Sequence, residues 1–574
     1  MRLRSLLLAA LLAAGAAQAQ TLQQAREQVD ARQYGQALPV YEALLRAQPA
    51  NTDLLIETAR VYGFADRHKD AIATYRRVIE VDPARLKDVA AALAWQTLWS
   101  GDAAAALPLF EQARSFTTDP KLQAELWRGS GEACVQAGDN ACALHAYRQA
   151  LALAPGDRDL QRRIALVLLW MDEYAQSEAA WRALLEQDPK DKRAQAGLAR
   201  TLNAAGRHNE AVRLYGLIDD GSDADLRLDH ARAVRWAGYD AAAFPLLNAR
   251  TDDAAVFLRD WRVDREQKSF VWSGIDYSTD ADQLDILAVA AGAGTLLQPG
   301  LLLEGGYRFA RLDSPQGNVN ANRVQATLRG LVGTPGVTPP GLLVPSLTLA
   351  WNDYDGWTPI TGNASVRWLP QDLWRFTADL GREVVETPQA IGNRITVDVA
   401  AIGTEYRLPP RWTVGGTLSN LRFSDGNNRV RVYGHVDYAT RFNPKVVVGL
   451  EGAAFNDSDP ASYATPRPPG TLAPAGYWNP KDYTEGRIFA GIYHERDDWD
   501  AYARVALGIS RETDGDGNGS TGHPNLLEAG IAHDVGPGLR WKLYAGGSGS
   551  SFAVGNGGGN YWRRYVGFML TAWF

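Results

Sequence analysis

The chain is short of cysteine and of long apolar segments. Only two of its 574 residues are Cys, and no C-x-x-C pair is present. Beyond the first twenty residues no apolar run approaches the ~20 residues that a membrane-spanning helix requires. The net charge is -7 and basic residues form no stripe, which excludes nucleic acid as a partner.

Enzyme signatures are missing as well. The sequence contains no H-E-x-x-H, no G-x-S-x-G and no phosphate-cradling glycine loop followed by Lys. The stretch DGDGNG, Asp514 to Gly519, follows the first half of an EF-hand loop, but position twelve is Asn525 instead of a bidentate Glu. We therefore interpret it as a Gly-rich hairpin, and we predict no catalytic residues, no metal ion and no cofactor.

The N-terminus is typical of an exported protein. Residues 1–19, MRLRSLLLAALLAAGAAQA, combine a basic start, an apolar run and a small-residue A-x-A ending. This pattern predicts a secretory signal peptide, and cleavage would leave Gln20 as the first residue.

A repeat occupies the first half. A small, an aromatic and an apolar residue followed by proline recur with a period of about 34 residues, which resembles the tetratricopeptide repeat. Two copies are Ala37-Tyr41-Leu44-Pro49 and Ala71-Tyr75-Val78-Pro83. Each repeat would form two antiparallel helices, and we expect residues 20–250 to build an all-α superhelix with a concave surface for partner proteins.

The two cysteines flank the turn between the helices of the fourth repeat. In an oxidising compartment Cys134 and Cys142 could form a disulfide across this tight hairpin. The alternative is that both are buried small apolar residues, and the sequence leaves the two interpretations open.

The sequence of the second half predicts β-strands. After a linker at residues 251–267, sixteen runs of alternating polarity follow between turn signals over residues 268–574. Short connections alternate with long ones such as DSPQGNVNAN, TPQAIGN, ETDGDGNGSTGHP and residues 456–482. This pattern predicts a C-terminal 16-stranded antiparallel transmembrane β-barrel with short periplasmic turns. GTPGVTPPGLLVP, after the fourth strand, is an exception because it is long on the short-turn side.

Alternation within the strands separates two faces. A charge that faces hydrocarbon at mid-depth costs ~2 to 4 kcal/mol, so the polar set should line the lumen. In the last strand the apolar set runs to Phe574. Tyr477 and Trp478 lie in the long loop Asn456–Asp482, which could fold inward as a gate or lie outside as a lid. The candidates for the lumen and a glycan path are Glu304, Arg308, Asp379, Asp398, Arg429, Arg431, Tyr433, Asp437, Glu451, Arg487, Asp500, Tyr502 and Arg504.

This architecture resembles the outer-membrane exopolysaccharide exporters. It is similar to the poly-β-1,6-N-acetylglucosamine export porin and, more distantly, to the barrel of cellulose synthase operon protein C. FSDGNNR, Phe423 to Arg429, and YWNPKDY, Tyr477 to Tyr483, are similar to short segments of these barrels. The repeat region here is much shorter than in those exporters.

The resemblance implies a function in transport. A biofilm polysaccharide would leave through the lumen of a monomeric barrel held in outer-membrane lipid. The periplasmic repeats would recruit synthase or modification proteins, or guide the glycan. Other interpretations stay open: an outer-membrane anchor or scaffold for periplasmic proteins, a surface receptor, or a general porin.

Overall fold

The computed structural model describes most of the chain. It covers residues 21–247, 265, 267–338, 340–409, 411–440, 443–462, 475–496, 498–549, 557 and 561–574. The predicted signal peptide and most of the predicted linker therefore lie outside the described residues. The chain forms two compact units, of which one ends at Thr201 and the other begins at Leu202.

Helices fill the N-terminal part, and neighbours along the chain pack against each other. Residues 21–30 are helical (α1). The helices that follow are α2 (Tyr34–Ala47), α3 (Thr52–Phe64), α4 (His68–Val81), α5 (Leu86–Trp99), α6 (Ala103–Ser115), α7 (Pro120–Gln136), α8 (Asn140–Leu153), α9 (Arg158–Trp170), α10 (Tyr174–Gln187), α11 (Lys192–Ala204), α12 (His208–Ile218), α13 (Ala224–Trp236) and α14 (Asp240–Leu247).

Helix caps and the repeat landmarks together explain these helices and their packing. Asp102, Asp139 and Asp157 accept hydrogen bonds from first-turn amides and so cap α6, α8 and α9. The aromatic landmarks fill the spaces between helices and are no more than 2% exposed: Tyr41, Tyr75, Phe110, Tyr147, Trp181 and Tyr215. The predicted all-α tetratricopeptide-repeat fold is confirmed.

Glycine permits the closest helix contacts. A Cβ atom on Gly197 of α11 would overlap the ring of Trp181, and one on Gly131 of α7 would overlap the ring of Tyr147. By contrast, nothing lies within 4 Å of a Cβ atom built on Gly35 of α2. The packing of each of these aromatic landmarks therefore depends on a missing side chain in a neighbouring helix.

We expect Gly197→Ala to lower the free energy of unfolding of the helical region by ~1 to 3 kcal/mol, because the added methyl group overpacks the Trp181 contact. Gly35→Ala is the matched control and should be neutral or slightly stabilising, since Ala is the better helix former. Denaturant titration followed by circular dichroism at 222 nm measures both. An equal loss of stability in the two variants would contradict the argument from packing.

The C-terminal part is a closed antiparallel β-barrel. β1 pairs with both β2 and β17, which closes the sheet. The strands are β1 (Phe270–Asp280), β2 (Asp285–Gln298), β3 (Leu301–Ser314), β4 (Gly317–Gly330), β5 (Leu342–Tyr354), β6 (Ile360–Gln371), β7 (Trp374–Val384), β8 (Thr396–Leu408), β9 (Trp412–Phe423), β10 (Asn428–Ala439), β11 (Lys445–Asp457), β12 (Asp482–Glu495), β13 (Trp499–Thr513), β14 (Gly519–Gly522), β15 (Leu526–Asp534), β16 (Leu539–Ser548) and β17 (Arg563–Trp573).

Sixteen of these strands make the wall, as predicted. β14 is four residues long and pairs with β13 alone, beyond the point where β13 leaves β15. It belongs to the connection ETDGDGNGSTGHP. There, both side-chain oxygens of Asp514 accept hydrogen bonds from Asn518, so side-chain hydrogen bonds stabilise this segment as a hairpin.

The outer face of the wall is apolar. On β13, Val505, Leu507 and Ile509 are exposed, and their neighbours along the strand point into the barrel. Phe568 and Phe574 belong to the same outward band. Within the described residues, no helix combines the length and the apolar character needed to cross a membrane.

The two ends of the barrel differ in their connections. We call the end where β1 begins and β17 ends the proximal rim, and the other end the distal rim. Proximal turns are short except for residues 331–341, between β4 and β5. One distal connection differs from expectation. DSPQGNVNAN was predicted as a long loop, but its polar residues continue the β3–β4 ladder to Ser314 and Gly317. TPQAIGN contains a short helix, Pro388–Gly392.

Candidate functional site in the barrel lumen

Strand pairing sorts the predicted lumen residues by face. Because side chains alternate along a strand, the exposed apolar residues define the outer face and their neighbours the inner one. The predicted residues on the inner face are Glu304, Arg308, Asp379, Arg429, Arg431, Tyr433, Asp437, Glu451, Arg487, Asp500, Tyr502 and Arg504.

Asp398 is the exception, and its assignment to the lumen was wrong. It forms an ion pair of 2.6 Å with Arg382, its register partner on β7, and both side chains are about half exposed. Leu380 and Ile402 occupy the same outward phase and are more than 60% exposed, whereas Val397 next to Asp398 is buried inside the barrel. Two opposite charges at the distal end of the strands can satisfy each other on the outer surface, so polarity alone misplaced this residue.

Glu451 is the centre of a network on the inner wall. Its carboxylate accepts hydrogen bonds from Arg504 at 2.9 Å and from the hydroxyl of Tyr433 at 3.0 Å, and lies 3.1 Å from Arg487. Tyr502 stacks beside Tyr493 with ring centroids 6.3 Å apart. Charged groups and aromatic faces therefore share one stretch of the wall.

Other inward charges are also paired. Asp500 accepts a hydrogen bond from Arg540, which also pairs with Asp534. Glu304 accepts a hydrogen bond of 2.9 Å from the indole of Trp272. His435 lies 3.8 Å from Asp437, and Arg431 donates to Ser419.

Two distal connections fold into the lumen and meet there. Ile391, in the β7–β8 connection, packs among buried residues that include Leu312 of β3, on another part of the wall. In the same connection Glu386 accepts hydrogen bonds from Arg308 of β3 at 2.9 and 3.2 Å. Thr387 donates to the carbonyl of Gly476 in the long loop. Both segments thus occupy the distal end of the lumen.

The predicted gate residues lie inside this distal assembly. Tyr477 and Trp478 are both fully buried, so this part of the loop folds inward and is not an external lid. Tyr477 stacks on Phe423 at 4.3 Å and its hydroxyl donates to Asp425. The indole of Trp478 donates to Glu512. Residues 463–474 of this loop lie outside the described part of the chain.

Arg429 connects the loop to the wall. Its guanidinium binds both carboxylate oxygens of Asp457, donates to the carbonyl of Trp478 at 2.7 Å and lies over the ring of Phe455. Arg429 and Asp457 are both almost completely buried. A buried charge pair of this kind is costly to break, because the remaining charge is left without a partner.

We therefore expect Arg429→Ala to release residues 475–481 from the wall and to lower their opening free energy by ~3 kcal/mol. Hydrogen exchange of these backbone amides measures the change. Arg311→Ala is the control, because the Arg311–Asp313 pair is solvent-exposed and contributes ~0 to 1 kcal/mol. Unchanged exchange in Arg429→Ala would show that the loop is held by other contacts.

Helix α12 docks on the proximal rim. The carboxylate of Asp372, in the β6–β7 turn, accepts hydrogen bonds from the backbone amide of Asn209 at 3.0 Å and from its side chain at 2.8 Å. The side-chain oxygen of Asn209 in turn accepts the amide of Gly336, in the long β4–β5 connection, at 2.9 Å. The exceptional length of residues 331–341 thus has a structural role, because this connection carries a contact to α12.

The helix start and the burial of Asp372 have opposite effects on its charge. Asp372 stands at the N-terminal turn of α12, where unpaired amides attract anions. Burial raises the pKa of Asp372, while the hydrogen bonds from Asn209 oppose that rise. Burial and the positive charge of Arg407 lower the pKa of His208 to about 4, so its imidazole is neutral at pH 7.

We expect Asp372→Asn to loosen α12 from the rim by ~1 kcal/mol, because the helix terminus loses its charged acceptor. Native-state hydrogen exchange of the α12 amides tests this. Asp355→Asn is the control at the distal rim, where Asp355 accepts the amide of Asn320 at 2.9 Å. Faster exchange of α12 in both variants would point to a general loss of stability and contradict a local cap.

A cavity of about 1020 Å³ lies between the proximal rim and helices α12 to α14. Three carboxylates line it: Asp240, Glu304 and Asp372. Seven basic side chains line it: Arg265, Lys268, Arg329, Arg367, Arg375, Arg407 and Arg540. Arg329, Arg367, Arg375 and Arg407 were not among the predicted residues, although each has the inward phase near the proximal end of its strand. The sequence did indicate that these side chains face inward, because they alternate with outward-facing residues. Alternation does not show that the four side chains line one cavity.

In the helical region, Cys134 and Cys142 are joined in a disulfide, with their Cα atoms 5.7 Å apart. The bond spans the α7–α8 turn, and Cys134 is fully buried.

A family model of the tetratricopeptide repeat matches residues 28–95 and 134–200. Together with the closed barrel, this match defines the class: a tetratricopeptide-repeat region joined to a closed sixteen-stranded antiparallel β-barrel. No curated protein sequence matches the chain.

Three solved structures are similar to parts of this chain. One is described as a bacterial polysaccharide outer membrane secretin, with 14% identity, 54% of this chain and 99% of that chain covered, and a TM-score of 0.41. Another is a tetratricopeptide repeat protein from Parabacteroides merdae, with 18% identity, 37% and 85% covered, and a TM-score of 0.34. MamA from Desulfovibrio magneticus has 12% identity, 30% and 97% covered, and a TM-score of 0.28.

Proposed function

We propose that this protein exports a polysaccharide across the outer membrane through the lumen of its barrel. The observation that carries the proposal is the inner wall, where charged and aromatic side chains line a sixteen-stranded barrel. A barrel of this size is wide enough for an aqueous channel. The apolar outer band would lie in lipid, and the helices would lie in the periplasm.

The chemistry of the wall suits a sugar polymer. Pyranose hydroxyls exchange hydrogen bonds with charged side chains, and the apolar faces of the ring pack on aromatic rings. The Glu451 network and the Tyr493–Tyr502 pair offer both kinds of contact on neighbouring strands. No catalytic step is part of the proposal, since passage through the lumen requires only binding and release.

The distal segments would act as the gate. Residues 475–481 and the Pro388–Gly392 helix occupy the distal lumen, so a polymer must displace them to leave the barrel. The resemblance to poly-β-1,6-N-acetylglucosamine exporters makes a biofilm exopolysaccharide the proposed cargo, and the repeats would hold the periplasmic proteins that supply it. A monomeric barrel is sufficient for this pathway.

Single-channel recording tests the proposal. The mature full-length protein is placed in a planar bilayer, and oligosaccharides of increasing length are added to each side in turn. We expect glycan block whose duration increases with length, because a longer chain occupies more positions along the wall. Arg429→Ala, which frees the distal segment, should raise the open probability.

The other outcomes separate the alternatives. An open pore that no glycan blocks would indicate a general porin. A channel that stays closed in both the wild type and Arg429→Ala would favour an anchor, a scaffold for periplasmic proteins or a surface receptor.

A further inference from the structure

We propose that the cavity at the proximal rim binds an acidic polysaccharide, one that carries carboxylate groups, and selects it at the entrance to the lumen. The inference rests on the proposed export function and assigns a substrate class to it. Four arginines carry the argument, and we call them the proximal arginine cluster: Arg329, Arg367, Arg375 and Arg407.

These arginines come from nearby strands of one part of the wall. Arg329 lies on β4, Arg367 on β6, Arg375 on β7 and Arg407 on β8. Each has the inward phase within a few residues of the proximal end of its strand. All four therefore line the same cavity, at the height where α12 docks on the rim.

The carboxylates nearby do not balance this charge. Glu405 lies 3.1 Å from Arg375 and 3.8 Å from Arg407, so two guanidiniums share one acidic group. Within the described part of the chain, Arg329 and Arg367 have no acidic group within 4 Å. Arg367 instead interacts unfavourably with the positive charges of Arg375 and Arg329.

Several arginines elsewhere in the lumen are paired with carboxylates. Arg504 and Arg487 share Glu451 but also lie near Glu528 and Glu485, respectively. Arg429 has Asp457, as described above. The proximal rim differs from these sites, because four arginines line one cavity there and Glu405 is paired with only two of them. Such a cluster of like charges costs free energy, and a bound anion would offset that cost.

The cluster favours carboxylates over other groups. A guanidinium presents two parallel N–H donors that match the two oxygens of a carboxylate, and several in a row would match acidic sugars along a polymer. The cavity of about 1020 Å³ is large enough for several sugar units, because small-ligand pockets measure ~300 to 1,000 Å³. A glucosamine polymer, which is cationic, would be repelled.

Recordings on the full-length protein test the selection. Oligogalacturonate, cello-oligosaccharide and glucosamine oligomers of equal length are added to each side of the bilayer, and inorganic sulfate is added separately. The variant is Arg329→Gln/Arg367→Gln. The matched control is Arg422→Gln/Arg511→Gln, which removes two exposed charges of the outer face near the distal ends of β9 and β13.

We expect block by oligogalacturonate at the lowest concentration, and only from one side of the bilayer. The double variant should need at least about tenfold more of it, whereas the control should behave like the wild type. Higher salt should weaken the block because it screens the charges.

Three results would overturn the inference while leaving export intact. They are equal block by the neutral glycan, stronger block by glucosamine oligomers, and unchanged oligogalacturonate block in the double variant. Sulfate that competes as well as oligogalacturonate would reduce the cluster to a general anion site and would also overturn it. An open channel that no glycan blocks would instead contradict the proposed export function.

Discussion

Closure of the backbone hydrogen-bond ladder is the constraint on which the rest of this structure depends. In lipid an unpaired amide or carbonyl costs several kcal/mol, so a sheet can cross a membrane only without a free edge. The pairing of β1 with β17 removes that edge. Closure also divides every strand into an outer face and a lumen face, and this division places charged side chains such as Glu451 and Arg504 in the interior.

Inside the barrel, charge pairing separates residues with a structural role from residues that are candidates for binding a substrate. Glu451 with Arg504, and Asp457 with Arg429, brace the wall and hold the distal segments in place. The proximal arginine cluster is different, because it has more positive groups than nearby acidic ones. The two ends of the lumen thus differ: packed loops occupy the distal end, and a cavity lined by many basic side chains lies at the proximal end beside helix α12.

Much of the fold could be predicted because the sequence contains two clear periodicities. The recurring Tyr41 and Tyr75 mark the helical repeat, and the alternation around Arg504 marks the strands. The errors have a common cause: polarity indicates neither on which side of the wall a charge lies nor whether a polar segment is a loop or a strand. Asp398 meets Arg382 outside the barrel, and the Asn-rich residues after Ser314 continue a ladder that looked like a loop.

The sequence by itself determined the repeats, the sixteen barrel strands and the inner face of most of them, because these follow from local periodicity. Only the tertiary structure decided which distant residues meet. Asp372 and Asn209 are far apart in the chain, as are Thr387 and Gly476, and the proximal arginines come from four strands. Such contacts depend on barrel closure and on how connections fold back, and local patterns carry no information about either.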